Sequence, residues 1–394
     1  MNLSKKYWIA ILCKIIVILS TLLISIFINR GLGVQVKGEY AYIINFVEIL
    51  YIVGGIGLGE AYSMFKKEEL NNRNTFVLLS IAQGIAVFII GCLLCSLINI
   101  NYGMIITVLT SFAVIRANLT IISVVENSIK RNIISTAVNV FYLILLINLY
   151  FINKCNLNTV LICYGLNEII RCIIFIYIYK MPPRLEKISI IKLKKIYSIG
   201  ILTMIITLLI SVNYSIDTIM LKYMTNSYNV GIYSVGVTFS NIFLLIPDAF
   251  KEVLFGDSSN ENFPRKTIFS AIKVSFIASS VILIGFILFG KFAIKLLYGI
   301  DYINAFGVTL IIFIGSLSMI FFKILQPIYI VEGKQKKAIC FLVCSAIVNI
   351  ILNIMLIPKY GYYGTAIASA ISYTVCGGLF FFDYLREYKI MIKK

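Results

Sequence analysis

Five charged residues stand inside apolar runs in the first half of a 394-residue chain, and their types and spacing point to chemistry. Arg116 is about twelve residues into the run 104–125, close to its centre. Glu168 and Arg171 lie near the middle of 159–179, three residues apart and so on one helical face. Lys14 is about six residues inside 8–28, and Glu48 about eight inside 40–64. The second half adds Asp217, Asp248 beside Pro247, Lys273 and Lys323. A charge near a bilayer centre costs roughly 2.5–3.5 kcal/mol on insertion scales, so each asks for a compensating environment. The set reads as a water-filled cavity lined by cations: Arg116, Arg171, Lys14 and Lys323 would bind an anion. Glu48, Glu168 and Asp248 would take up a coupling proton or cation. Arginine suits the anion because its fork pairs bidentately with phosphate oxygens and stays charged at any relevant pH. Diphosphate is the obvious anion of a membrane lipid. Other readings stand beside this one. Lys273, near an edge, snorkels; Lys14 snorkels or lines; Asp217, near the outer end of its span, caps or pairs locally; Glu168 and Arg171 equally suit a buried ion pair.

Other chemistries lack their parts. The chain contains no His, so the commonest metal ligand and neutral-pH proton relay is missing, and there is no Ser-His pair. No GxxxxGK[ST] loop is present, so nucleotide hydrolysis, a cofactor and a metal are not expected. Gly54-Gly55-Ile56-Gly57-Leu58-Gly59 imitates a nucleotide loop, but inside an apolar run it reads as a site of close packing or bending. Eight of the nine Cys sit inside apolar runs and read as small packing residues.

The elements that position these charges are transmembrane helices. Hydrophobic residues make up 60% of the chain and charged residues 13%, against roughly 45–50% and about 25% in a soluble domain. The runs are about 20 residues long and not alternating strands of about 10. The expected fold is therefore an all-α integral membrane protein. Its spans are drawn at 8–28, 40–64, 75–98, 104–125, 132–152 and 159–179, then 196–221, 230–254, 267–289, 302–330, 338–357 and 364–385. Lys5 and Lys6 before the first run imitate a signal peptide, but the run is too long and lacks a cleavage site, so it reads as a retained span. With the N-terminus inside, 23 Lys and Arg fall on inner segments and 7 on outer loops, which predicts twelve spans with both ends cytoplasmic. The same bias explains most of the net charge of +18, and no nucleic-acid partner is expected.

The longest polar interruption is near the middle. Pro182 and Pro183 stop the preceding helix, and Ile188, Ile191 and Leu193 then interleave with Lys187, Lys192, Lys194 and Lys195. That suits a short basic helix on an anionic lipid surface, or else a solvated loop that fixes topology. The predicted division is an N-terminal lobe 1–180, a basic cytoplasmic linker 181–195 and a C-terminal lobe 196–394. Six spans per lobe give both lobes one orientation, so a parallel pseudo-two-fold repeat is expected. Gly38-Glu39-Tyr40-Ala41 and Gly231-Ile232-Tyr233-Ser234 open the second span of each lobe and echo one another.

The late stretch Glu332-Gly-Lys-Gln-Lys-Lys337, Asn349-Ile-Ile-Leu-Asn353 and Ile357-Pro358-Lys-Tyr-Gly361-Tyr-Tyr-Gly364-Thr-Ala366 resembles the oligosaccharide flippase family. These are Wzx-type polysaccharide-biosynthesis transporters of the multidrug/oligosaccharidyl-lipid/polysaccharide exporter superfamily. Phe289-Gly-Lys through Gly299, with Asp301-Tyr302 and Ala305, is similar as well, as are Asp217 through Ser234 and Arg30-Gly-Leu-Gly33 running into Gly38-Glu-Tyr40. The resemblance implies two six-helix lobes working by alternating access. The cargo it implies is a polyprenyl-diphosphate-linked oligosaccharide repeat moved from inner to outer leaflet of the bacterial cytoplasmic membrane, for O-antigen or capsule. It also implies ion coupling and a polysaccharide polymerase or assembly proteins as partners. Pro358 and Gly361 would form an outer turn, and Asn349 and Asn353 would hydrogen-bond across helices.

Two rivals remain. A drug/cation antiporter of the same superfamily would prefer an acidic or aromatic cavity, which the intramembrane Lys and Arg count against. A membrane glycan polymerase needs a large outer loop bearing acidic residues, and the longest predicted outer loop has about a dozen residues.

Overall fold

The computed structural model describes residues 5–66, 73–98, 101–186, 190–250 and 265–392. The described chain is helical, with no strand in it. In order come α1 (Lys5–Gly55), α2 (Leu58–Lys66), α3 (Arg73–Leu97), α4 (Gly103–Phe151), α5 (Leu157–Ile178) and α6 (Ile190–Met224). Then follow α7 (Ser227–Phe243), α8 (Arg265–Tyr298), a 3-10 turn (Ile300–Tyr302), α9 (Ala305–Val331) and α10 (Gln335–Ile392). Among the described residues, eight of these helices are long and apolar enough to cross a membrane.

Three of the eight are too long for one crossing. A continuous helix of 49 residues, the length of α4, would run about 74 Å, against a hydrocarbon core of about 30 Å. Each of the three contains a residue whose backbone leaves the helix: Gly33 (φ 69, ψ 170) in α1, Asn127 (φ −163, ψ 97) in α4 and Gly361 (φ 53, ψ −130) in α10. Gly33 and Gly361 hold positive φ that a Cβ would oppose. A further break follows α7. Leu244 forms a turn, helix resumes over 245–250, and Pro247 lacks the N–H that would bond to the Phe243 carbonyl. Ser279 of α8 donates to that carbonyl instead, at 3.3 Å.

The helices gather into two compact units. Unit 1 contains residues 1–36 and 43–208; unit 2 contains 37–42 and 209–394. In unit 1, α4 packs on α3 and α5. Leu58, Tyr62, Phe76, Leu119, Val138 and Phe175 form an apolar core there. In unit 2, α9 is the central helix, packed on α10, α7 and α8 and more deeply buried than the other spanning helices. The outward faces stay apolar: Ile89, Leu93, Ile284 and Phe289 are all more than half exposed, a surface suited to lipid and not to water.

The basic stretch differs from expectation. Residues 181–186 are not helical, while Lys187 and Ile188 lie outside the described residues. Lys192, Lys194 and Lys195 do not form a separate surface helix; they occupy the first turns of α6. At 35 residues α6 is about 52 Å long, so its apolar part can span while the lysines remain at one end.

Candidate functional site

The intramembrane charges of unit 1 converge. Arg116 of α4 donates from Nε to Glu168 Oε2 of α5 at 2.5 Å, and its guanidinium lies over the Tyr51 ring at 5.5 Å from the centroid. The Glu168 side chain is 4% exposed and that of Arg116 20%. Glu48 of α1 is exposed, and its principal charged neighbours are Arg116 and Glu168. Arg171, one turn beyond Glu168, does not take the pairing that its spacing allows. Its Nε is buried with no hydrogen-bond partner among the described residues. Four of the residues named from the sequence therefore form one cluster, in which Arg116 is paired with Glu168. Lys14 lies apart in character, on an exposed face of α1.

Unit 2 pairs the remaining two. Lys323 Nζ of α9 is 2.8 Å from Asp248 Oδ1, just past Pro247, and stands over the Tyr214 ring at 5.5 Å. The residue expected to bind substrate and the residue expected to couple an ion are thus partners. Each unit carries one cation, one carboxylate and one tyrosine face in the same relation, which offsets the cost of an isolated charge at depth. Lys273 is exposed, as snorkelling requires.

Unit 2 also holds a second centre, at a residue whose depth along its span had suggested only a local cap. Asp217 of α6 has no exposed surface. Its Oδ1 accepts from Asn353 Nδ2 at 2.7 Å, and its Oδ2 accepts from Ser369 Oγ at 2.6 Å and from Tyr233 Oη at 2.9 Å. The network continues from Asn349 to Ser372 and from Ser345 to Asn213. Among the described residues no Lys or Arg lies within ion-pair distance of Asp217. A bare carboxylate so enclosed costs several kcal/mol, so the site calls for a proton or a small cation. Asn353 Oδ1 is buried beside it with no donor among the described residues, leaving a second oxygen for the same positive charge. The sequence did hold a signal. Asn349 and Asn353 are one helical turn apart, and the cross-helix hydrogen bonding expected of them is present.

The glycine run is a packing device, as its setting suggested. Ile56 and Gly57 turn with positive φ, and a Cβ on Gly57 would collide with the Gly200 carbonyl oxygen of α6. Asn118 Oδ1 accepts from the Gly59 N–H at 3.2 Å and so satisfies one of the donors freed by the break.

Residues 252–394 match the family model described as Lipid II flippase MurJ. The chain is 28% identical over 175 residues to a probable flippase, AglR, of Haloferax volcanii, covering 41% of this chain and 35% of that one. It is 27% identical over 268 residues to an uncharacterized membrane protein of Methanocaldococcus jannaschii, covering 63% and 52%. The chain thus spans about a third to a half of the curated relatives it matches. Among solved structures it is similar to lipid II flippase MurJ in an inward closed conformation, with TM-score 0.75, 16% identity and coverage of 95% and 87%. It is equally similar to the inward-facing conformation of a multidrug resistance MATE family transporter, with TM-score 0.75, 14% identity and coverage of 98% and 99%. Family model, relatives and fold point the same way as the late motifs of the sequence: the chain is similar to flippases and to transporters of the MOP superfamily.

Proposed function

We propose that the protein flips a polyprenyl-diphosphate-linked oligosaccharide repeat from the inner to the outer leaflet of the cytoplasmic membrane, by alternating access, for a surface polysaccharide of the O-antigen or capsule type. One observation carries the proposal: Arg171 keeps a buried, unpartnered Nε beside the Arg116–Glu168 pair, in a fold shared with a lipid II flippase. A guanidinium nitrogen left without an acceptor at that depth is costly unless an anion visits it. A diphosphate would engage Arg171 first and then draw Arg116 away from Glu168, while Lys14 and Lys323 would serve later stages. Glu48, Glu168, Asp248 and the enclosed Asp217 are the candidate sites for a coupling proton or sodium ion.

The proposed topology is twelve spans in two six-helix lobes, residues 1–180 and 196–394, with both ends cytoplasmic. The breaks at Gly33, Asn127 and Gly361 support it by dividing three long helices, and α7 with 245–250 supplies the remaining span. A polysaccharide polymerase would receive the flipped unit, and anionic lipids would meet the lysines at the start of α6.

The MATE likeness, with a TM-score equal to that of the flippase, favours a drug/cation antiporter as second reading. So does the pairing of Arg116 and Lys323 with carboxylates, which lowers the positive charge that had counted against it. Complementation of a flippase-null strain separates the two. The flippase reading expects restored surface glycan, lost in Arg171→Ala protein that still reaches the membrane, with unchanged drug susceptibility. Full glycan with Arg171→Ala, or drug resistance without glycan, overturns it.

A further inference from the structure

Unit 1 carries a groove that the pairing of its charges does not use. It lies between α4 and α5, with Val108 and Phe112 on one wall and Ile162, Gly165 and Ile169 on the other, and encloses about 560 Å3. A volume of that order seats one small ligand. Every lining residue is apolar or glycine except Asn158, at one end. The walls are open: Met104 is 54% exposed and Ile162 62%. Both helices are long and apolar enough to cross a membrane.

The local sequence makes the trough. Ile162, Gly165, Leu166 and Ile169 share one face of α5, and on that face Gly165 contributes no side chain. A Cβ there would lie 3.2 Å from Leu109 Cδ2, so α4 and α5 approach closely at the floor while larger residues form the walls. From Asn158 to Ile169 the groove follows eleven residues of α5, about 16 Å. Half of a hydrocarbon core of about 30 Å is about 15 Å, so the trough is one leaflet deep.

The two ends differ. The deep end stops one turn short of the Arg116–Glu168 pair, since Arg116 follows Phe112 by four residues and Glu168 follows Gly165 by three. The shallow end is polar. The Lys154 carbonyl accepts from Thr159 Oγ at 2.8 Å, which fixes Lys154 beside the first turn of α5, where Asn158 stands. Lys154 is exposed and, among the described residues, in no ion pair. The available cation is therefore at the shallow rim, where a resident lipid carries its phosphate, and not at the deep end, where a cargo diphosphate would meet Arg116.

We propose that this groove seats one acyl chain of an anionic phospholipid, with its phosphate at Lys154 and Asn158 and its chain end against the apolar layer over the Arg116–Glu168 pair. Seated there, the chain fills the space that Gly165 leaves and keeps this side of the pair dry, where its attraction is stronger. The seat is independent of what the protein transports.

The test uses the full chain reconstituted into phosphatidylethanolamine vesicles with a trace of phosphatidylglycerol bearing a diazirine in mid-chain. After illumination, labelled peptides are mapped by mass spectrometry, and the exposed α3 face around Ile89 and Leu93 is the internal reference. The expected result is labelling of 104–112 and 158–169 several-fold above that reference. It should fall to the reference in Gly165→Val, which fills the floor, and in Ile162→Trp, which narrows the groove from an exposed position. Equal labelling of groove and reference in wild type is ordinary bilayer contact and overturns the seat, as does undiminished groove labelling in folded Ile162→Trp protein. Lys154→Gln should lower labelling to that of a phosphatidylethanolamine probe with the same chain; equal labelling by the two probes in wild type overturns the headgroup assignment. Displacement of the label by a soluble isoprenyl diphosphate assigns the groove to an isoprenoid chain, and groove peptides cross-linked to a second copy assign it to an oligomer. Both overturn the phospholipid.

Discussion

Removing Glu168 tests whether Arg116 is held by that one carboxylate or by the whole cluster. The pair is 2.5 Å apart, with Glu168 enclosed and Arg116 largely so. At about 4 Å between charge centres and an effective dielectric near 20, the attraction is about 4 kcal/mol. Breaking a buried pair from one side costs about 3–5 kcal/mol, because the surviving charge is stranded. Arg116 keeps the Tyr51 face and has Glu48 among its neighbours, so the lower end applies, about 3 kcal/mol for Glu168→Ala. Glu168→Gln keeps an acceptor and should cost about 1–2 kcal/mol. Replacing both residues by Leu removes the stranded charge and should return stability to within about 1 kcal/mol of the parent. The assay is unfolding in mixed dodecylmaltoside–SDS micelles followed by circular dichroism, arranged as a double-mutant cycle. A coupling energy below about 0.5 kcal/mol, or a double variant as unstable as the sum of the singles, refutes the pairing and with it the idea that anion binding must displace Glu168.

Three further outcomes follow from other parts of the molecule. If Asp217 holds a cation, sodium at about 100 times its dissociation constant stabilises the protein by about 2.7 kcal/mol. Asp217→Asn should abolish that sodium-dependent rise in melting temperature, and a wild type indifferent both to sodium and to pH between about 5 and 8 refutes the assignment. Gly315→Ala places a Cβ against the backbone of Ala370 and should destabilise unit 2 by about 1–3 kcal/mol; a neutral result in the same micelle assay contradicts the close α9–α10 packing. At the end of α9, Lys334 pairs with Glu332 at 2.6 Å and Glu387 at 2.5 Å. Burial lowers its pKa, but hydrogen bonds to both carboxylates outweigh that and leave it above the ordinary lysine value. The pair's stabilisation is therefore fully present below the unfolded lysine pKa and lost as pH rises through the folded one. Lys334→Met should cost under about 1 kcal/mol and remove only that alkaline dependence, read from melting temperature against pH.

The sequence disclosed the charges and not their partners. Arg116, Glu168, Arg171, Lys323 and Asp248 stood out because charge inside an apolar run is rare and has a known cost. Their pairing depends on which helices adjoin: the i, i+3 spacing of Glu168 and Arg171 allows a pair within α5, but Glu168 bonds to Arg116 of α4. Depth along its own span places Asp217 near an end and does not disclose its enclosure. Lying seven residues before the end of α6, it is enclosed by Tyr233, Asn353 and Ser369 from other helices. Such uncharged polar residues are too common in spans to announce a site. The breaks at Gly33 and Gly361 were legible as turns, since Arg30-Gly-Leu-Gly33 and Pro358-Lys-Tyr-Gly361 combine glycine with polar neighbours. The start of α6 was not, because Lys192, Lys194 and Lys195 carry equal helix propensity on a membrane surface and at the end of a span.

Whether the half-buried Arg171 guanidinium receives a diphosphate is decided by calorimetric binding of a soluble isoprenyl diphosphate, with the corresponding alcohol as control, to detergent-purified protein and its Arg171→Ala variant. A charge-assisted hydrogen bond is worth about 1.5–3 kcal/mol, so wild type should prefer the diphosphate and Arg171→Ala should lose about ten- to 150-fold in affinity. Equal affinity for diphosphate and alcohol, or equal diphosphate affinity in wild type and variant, shows that Arg171 does not receive the cargo.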